Sequence, residues 1–290
     1  MTFKTILVAI GYDEEAKNVA RQAKYLAERH NAKLVFIHVV EPLQFMGEPT
    51  AFGFIQLFQD EEEAREQARK QLDRIVDAVG IDPYAAQRIV ASGAIEEEIV
   101  KQAQKSGGDL VVVGSHEKPI WGLYLGSTAN AVLHRATTDV LVIRAGREAG
   151  REEPHGYKRI LLAIDFTPEI EPVISRAKAL ATLYGAELRM VHVVNRAPVF
   201  EMPLSLFEKE IMEKVDWQFQ QLSASHGLGE VASELLLGSP GLEITRYAER
   251  ENIDLIVLGS HAKHGVGLLF GSTANAVLHR AQCDVLAVRV

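Results

Sequence analysis

The chain is one unit written twice. Gly114–Arg144 (GSHEKPIWGLYLGSTANAVLHRATTDVLVIR) aligns with Gly259–Arg289 (GSHAKHGVGLLFGSTANAVLHRAQCDVLAVR) at 21 of 31 positions, 145 residues apart. Nearer the start of each copy, Ile6–Ile10 aligns with Ile160–Ile164 and His38–Val40 with His192–Val194, now 154 residues apart. Two domains are therefore expected over residues 1–146 and 157–290. Between them, residues 147–156 combine Gly150, Pro154 and Gly156 with charged residues, the composition of a surface linker.

Within each copy the hydrophobic period alternates. Ile6–Ile10 is short and rich in β-branched residues, as a buried strand is. Ala16, Val19, Ala20, Ala23, Leu26 and Ala27 then form one apolar helical face, and Ile170, Val173, Ile174, Ala177, Leu180 and Ala181 repeat it 154 residues on. A strand follows at Leu34–Val40, a charged helix at 59–79, a strand at Gln87–Ala91 and a helix at Ile95–Ser106. Asp109–Gly114 (strand), Ser127–Arg135 (helix) and Val140–Arg144 (strand) complete a βαβαβαβαβ unit. Continuous apolar strands joined by helices predict a parallel sheet covered on both faces. With right-handed crossovers the fold class is α/β, each domain a doubly wound, five-stranded, Rossmann-like sheet. Ligands of such sheets lie beyond the carboxyl ends of the strands, where strand order reverses.

Composition narrows what could bind there. A net charge of −8 without a Lys/Arg run argues against nucleic acid as partner. The apolar runs are far shorter than the ~20 residues of a membrane helix, and the N-terminus lacks a signal-peptide cleavage pattern. A cytoplasmic protein without membrane contact is expected. The lone Cys283 allows neither an internal disulfide nor a Cys-based zinc site.

The loop after the fourth strand carries the most chemistry. Gly271-Ser272-Thr273 opens a helix, where unpaired N–H groups attract phosphate; equally, Ser272 or Thr273 serves as an ordinary helix cap. No GxxxxGK[ST] motif is present. In these residues both copies resemble the universal stress protein family, in which a strand ending in Val/Ala-x-Asp begins a domain and G-x2-G-x9-G-[ST] closes it. The resemblance covers nearly the whole chain, twice, as in tandem members. It implies the adenine nucleotide alpha hydrolase-like variety of the Rossmann-like fold, a stress-response role, and an adenine nucleotide site. The implied ligand is ATP, with Mg2+ or Mn2+ brought by the nucleotide, since no metal ligand set is evident in the protein alone.

Carried across, the implied nucleotide residues of the second copy are Asp165, Val193, Leu258, Gly259, Gly271, Ser272 and Thr273. Ala262 replaces the motif's second glycine, and the spacer 263–270 is one residue short. The first copy keeps Val39, Gly114, Gly126, Ser127 and Thr128 as weaker counterparts. There Gly11 takes the aspartate position and Glu117 the second glycine, so this copy is expected to be degenerate. The competing reading is an interaction module with vestigial glycine loops and an unknown protein client. An enzyme would need a general base or Walker-type lysine that no motif places.

Other features receive plainer readings. His38, His192, His116 and His261 lack acidic neighbours at ligand spacing, so packing or hydrogen bonding is expected, and His134 and His279 belong near a helix C-terminus. Cys283 is expected to be a semi-buried thiol. The aromatic stretch 43–58 is expected as a loop beside the crevice, either packed on its own domain or acting as a lid. The repeated C-terminal strands Val140–Arg144 and Val285–Val290 are expected to pair the domains as an intramolecular pseudo-dimer, as the family resemblance also implies.

Overall fold

The computed structural model describes residues 3–12, 15–41, 51–82, 84–115, 125–144, 156–195, 204–260 and 271–290, with side chains omitted at 51–60 and 204–210. The chain divides into two compact units, Thr2–His155 and Gly156–Val290. Apart from Gly156, the expected linker lies outside the described residues.

The first unit contains β1 (Thr5–Ala9), α1 (Ala16–His30), β2 (Lys33–Val40), α2 (Ala51–Ala78) and β3 (Ala86–Ser92), followed by α3 (Ile95–Ser106), β4 (Leu110–Gly114), α4 (Ser127–Arg135) and β5 (Asp139–Ile143). Its strands run in the order β3-β2-β1-β4-β5, and each adjacent pair is parallel. Ile6, Leu7 and Val8 of β1 and Leu110, Val111 and Val112 of β4 are fully buried. Successive residues of a strand face opposite sides, so both faces of this sheet are covered. The covering helices pack α1 with α2 and α3 with α4.

The second unit repeats the pattern with β6 (Arg159–Ile164), α5 (Ile170–Tyr184), β7 (Glu187–Asn195), α6 (Leu204–Ser225) and β8 (Ala232–Gly238), then α7 (Pro240–Arg250), β9 (Leu255–Gly259), α8 (Ser272–Arg280) and β10 (Asp284–Val288). Its order is β8-β7-β6-β9-β10, again parallel throughout. The doubly wound α/β architecture read from the sequence is thus present in each copy.

Helix ends follow local chemistry. α1 stops at Asn31 (φ 52°) and α5 at the matching Gly185 (φ 63°), residue types that enter the left-handed region at low cost. Asp109, before β4, accepts hydrogen bonds from the backbone N–H groups of Lys4 (2.8 Å) and Thr5 (3.1 Å). Asp254, before β9, does the same for Lys158 (2.8 Å) and Arg159 (2.9 Å). Each carboxylate therefore clasps the amino end of the first strand of its own sheet.

Two expectations require correction. The 43–58 stretch is not a loop throughout: residues 42–50 lie outside the described residues, and α2 begins at Ala51, eight residues before the expected helix. Phe, Ile and Leu are only mildly unfavourable in a helix, and the uninterrupted Glu, Gln, Ala and Arg positions after residue 60 propagate it backwards. Cys283 is buried rather than semi-buried, at 5% exposure.

In the second unit α7 approaches α8 so closely that a Cβ on Gly241 would stand 2.3 Å from Ala276 Cβ. At the matching helix pair of the first unit, Glu96 of α3 instead pairs with Arg135 of α4 at 3.2 Å. Gly241→Ala is expected to lower stability by about 1–3 kcal/mol, the usual cost of overpacking, despite alanine's better helix propensity. Urea unfolding measures it, with Ala276→Gly expected to recover part of the loss.

Candidate functional site

In each unit the strand order reverses beside the first strand. β1 leads by way of α1 to β2, whereas α3 returns the chain to β4 on the other side of β1. The two helices leave on opposite faces, so the carboxyl ends of β1 and β4 border an uncovered crevice. In the second unit β6 pairs with β9 only as far as Leu162↔Val257, while it follows β7 to Ile164↔His192. The strands separate where Asp165 and Gly259 begin their loops.

The sequence-predicted residues of the second unit come to this end by different routes. Asp165 follows β6 directly and is exposed; its Oδ1 accepts from the Thr167 N–H (3.2 Å) and hydroxyl (2.9 Å), a local turn made by an Asp side chain. Val193 and Leu258 are buried within β7 and β9, and their counterparts Val39 and Val113 line the crevice of the first unit. Gly259 ends β9, and Ser272 and Thr273 open α8. In the first unit Val39 is buried in β2, Gly114 ends β4, and Ser127 and Thr128 open α4. A Cβ on Gly114 would lie 2.9 Å from Val19 Cγ2, so this position requires glycine.

The helix starts differ from the capping expectation. The N-cap residues are Gly126 and Gly271, both extended, and neither helix has a side-chain cap hydrogen bond. Glycine at the N-cap moves Ser and Thr to the first and second helical positions, beyond the reach of ordinary capping. Among the described residues the first N–H groups of α4 and α8 therefore have no side-chain cap. Ala262, Glu117, His116 and His261 lie outside the described residues.

His38 Nδ1–H donates to the Ile10 carbonyl at 2.8 Å, and His192 Nδ1–H to that of Ile164 at 2.7 Å. Each imidazole so bridges the end of the second strand to the end of the first. Tyr12 stacks on His38 at 3.8 Å, and Phe166 leans on His192 at 4.4 Å from a left-handed backbone (φ 54°). Burial pushes both imidazoles below the usual 6.5; the hydrogen bonds to Ile10 and Ile164, and the nearby Asp165 charge at His192, oppose this. Both rings are therefore neutral at pH 7, with Nε2 as acceptor. Among the described residues no group of three His, Cys, Asp or Glu could hold a metal ion.

Three features of the site escape motif reading. Glu15 and Glu169 recur 154 residues apart and sit at the N-caps of α1 and α5; Glu15 is buried. Ser260, buried at 4% exposure after β9, has a hydroxyl with no hydrogen-bond partner among the described residues. A cavity of about 210 Å³ opens at the crevice of the first unit, the one expected to be degenerate. The identical Gly-Ser-His start of both loops and the shared Glu were visible as repeats; the cavity depends on packing that no motif records.

Fold and crevice together define a tandem pair of doubly wound α/β domains, each with a crevice at its switch point. The universal stress protein family matches residues 2–144 and again 156–289, and the chain belongs to this family. Universal stress protein A homolog 1 of Coxiella burnetii is 39% identical over 138 residues, 46% of this chain and 96% of that protein. A universal stress protein of Mycolicibacterium smegmatis is 26% identical over 301 residues, covering 98% of this chain and 96% of its own. The crystal structure of an Archaeoglobus fulgidus universal stress protein shares the fold, with a TM-score of 0.66 at 19% identity over 98% of each chain. No helix among the described residues is long and apolar enough to cross a membrane.

The histidines give a pH prediction. Because the fold lowers their proton affinity, the unfolded chain binds more protons once the pH falls below about 6.5, and the stabilisation present above that value is progressively lost. Thermal midpoints near pH 7.5 and 5.5 are expected to differ less in a His38→Phe, His192→Phe double variant than in the parent.

Proposed function

We propose that the protein is a cytoplasmic stress-response protein that binds an adenine nucleotide, ATP with a divalent cation such as Mg2+ or Mn2+, mainly in the second unit. The observation that carries this reading is the uncapped start of α8, Gly271-Ser272-Thr273, in the copy that also retains Asp165. Free helix-start N–H groups favour phosphate, and the Asp165 carboxylate is the group that the family resemblance assigns to the nucleoside. The Ser260 hydroxyl, buried at the end of β9 without a partner among the described residues, offers a further donor on the same side. In the first copy Gly11 removes the matching carboxylate and Glu117 adds a negative charge to the loop. The role is binding rather than catalysis.

A second reading, an interaction module serving a protein client without nucleotide, is favoured by Ala262 in place of glycine and the shortened spacer. Isothermal titration separates the two. ATP is expected to bind residues 157–290 more tightly than residues 1–146, and equal binding overturns the asymmetry.

Gly271→Val is expected to weaken ATP binding to the full chain at least tenfold, about 1.4 kcal/mol. Gly271 has φ −61° and ψ 142°, values open to valine, so the branched side chain tests ligand approach rather than folding. Unchanged affinity in a variant with parental thermal unfolding rejects the assignment of this loop. From the sequence we also propose that the units associate through Val140–Arg144 and Val285–Val290; separately expressed units are expected to form a complex in sedimentation experiments.

A further inference from the structure

We propose that the outer edge of β8 is a docking site for an extended segment of a partner protein, apolar at alternate positions and carrying a lysine or arginine among them. This rests neither on the crevice nor on nucleotide binding. Among the described residues β3 pairs only with β2, and β8 only with β7. A bare strand edge is a template for another strand, and the two units treat theirs in opposite ways.

In the first unit α2 closes the edge. The Gly93 N–H donates inward to the Val40 carbonyl at 3.2 Å, so by alternation Arg88, Val90 and Ser92 turn their backbone groups outward. Arg69 of α2 donates to the outward Arg88 carbonyl (2.7 Å) and Arg65 to the Ser92 hydroxyl (2.9 Å). The Arg88 guanidinium pairs with Asp73 (2.9 Å) and Asp77 (2.7 Å). The second unit has none of these side chains. Its register sets Leu235 against His192 as Val90 stands against His38, and Lys24 and Lys178 donate to the matching carbonyls of Val79 and His226 at the helix ends. Counted from these points, Ser233 and Leu237 replace Arg88 and Ser92, while Met212, Asp216, Gln220 and Ala224 replace Arg65, Arg69, Asp73 and Asp77.

The outward groups of β8 therefore belong to Ser233, Leu235 and Leu237, and no described side chain hydrogen-bonds to them. Their side chains lie on the α6 face, as that of Arg88 lies on the α2 face, and Leu237 is 37% exposed. Glu234, on the other face, is held by Arg250 of α7 at 2.7 Å. Alternate apolar side chains of an added strand cover Leu235 and Leu237, while its N–H and C=O groups complete the ladder. Charge decides which segment fits. Asp216 stands where the first unit has Arg69; it is exposed, accepts from Gln220 (2.8 Å) and has no cationic partner among the described residues. A Lys or Arg of the added strand complements it. Two-fold pairing of β8 with a second copy instead opposes like charges. Centred on Leu235 it brings Asp216 toward its own copy, and centred on Glu234 it sets the two glutamates opposite each other.

The test is fluorescence anisotropy of an end-labelled peptide, Thr-Val-Thr-Lys-Thr-Val-Thr, titrated with the full chain. The peptide reads the same in both directions and sets Val, Lys and Val on one face. It is expected to bind about fivefold more tightly than the same peptide with glutamate for lysine, the upper end for an exposed ion pair. Proline at its third and sixth positions removes N–H groups that either strand direction needs, and is expected to abolish binding. Asp216→Arg is expected to reverse the preference between the lysine and glutamate peptides. Importing the whole clasp of the first unit (Met212→Arg, Asp216→Arg, Gln220→Asp, Ala224→Asp, Ser233→Arg, Leu237→Ser) is expected to abolish peptide binding with ATP affinity unchanged, thermal unfolding showing that the variant is folded. Absence of saturable binding below about 1 mM, equal binding of the proline peptide, or binding unchanged by the clasp overturns the proposal. Sedimentation in which the parent dimerises and the clasp variant does not also overturns it, in favour of a second copy. Peptide binding lost in Gly271→Val overturns it too, because the peptide would then occupy the crevice; loss of ATP binding alone in that variant bears only on the nucleotide reading.

Discussion

The arrangement depends on burying both faces of the central strands. Ile6–Val8 and Leu110–Val112 have no exposed surface in the first unit, nor do Ile160–Leu162, Ile256 and Val257 in the second. Each fully buried aliphatic side chain contributes about 1.5–3 kcal/mol relative to exposure. That gain is available only if helices cover the two faces. Parallel strands require crossover connections, right-handed crossovers sort the helices by face, and the change of direction at β1/β4 or β6/β9 leaves a gap between them. The ligand crevice is thus a consequence of covering the sheet, before any residue specialises it.

The two copies share most of the residues around that gap: eleven of the sixteen that line it in the first unit recur identically in the second. Their first strand pairs keep the same register, and both copies have the same left-handed helix stops and the same histidine bridge between strand ends. A carboxylate and a larger helix-start residue mark the second crevice, where the first has Gly11 and Ala16. A scaffold written twice allows such divergence, because core positions answer to packing and loop positions to ligands.

The alternation of apolar runs and helical faces was sufficient to place the strands and the other helices of the first unit and the first helix of the second, since burial imposes both periods directly on the sequence. The start of α2 escaped because Ala51–Phe58 is rich in aromatic residues, which carry no clear helical signal until the charged turns that follow are counted with them. The helix-start site was readable in its glycines and hydroxyls, but the role within it was not. Ser272 and Thr273 resemble caps by type, whereas the extended backbone of Gly271 decides that they are not. Likewise, Ala16 reads only as one position of an apolar face; that it borders a cavity follows from Val19, Val113 and Ile99 meeting around it in three dimensions.

Asp109 and Asp254 hold the amino ends of β1 and β6, while in the second unit the carboxyl ends of β6 and β9 separate toward the crevice. The second sheet is consequently stitched at one end and open at the other. Backbone amides near Thr5 and Arg159 then exchange with solvent deuterium only through large openings, whereas those beyond Leu162 and Val257 exchange through local ones. This polarity confines breathing to the edge where ligands enter, so that the crevice adjusts without loosening the strands beneath it.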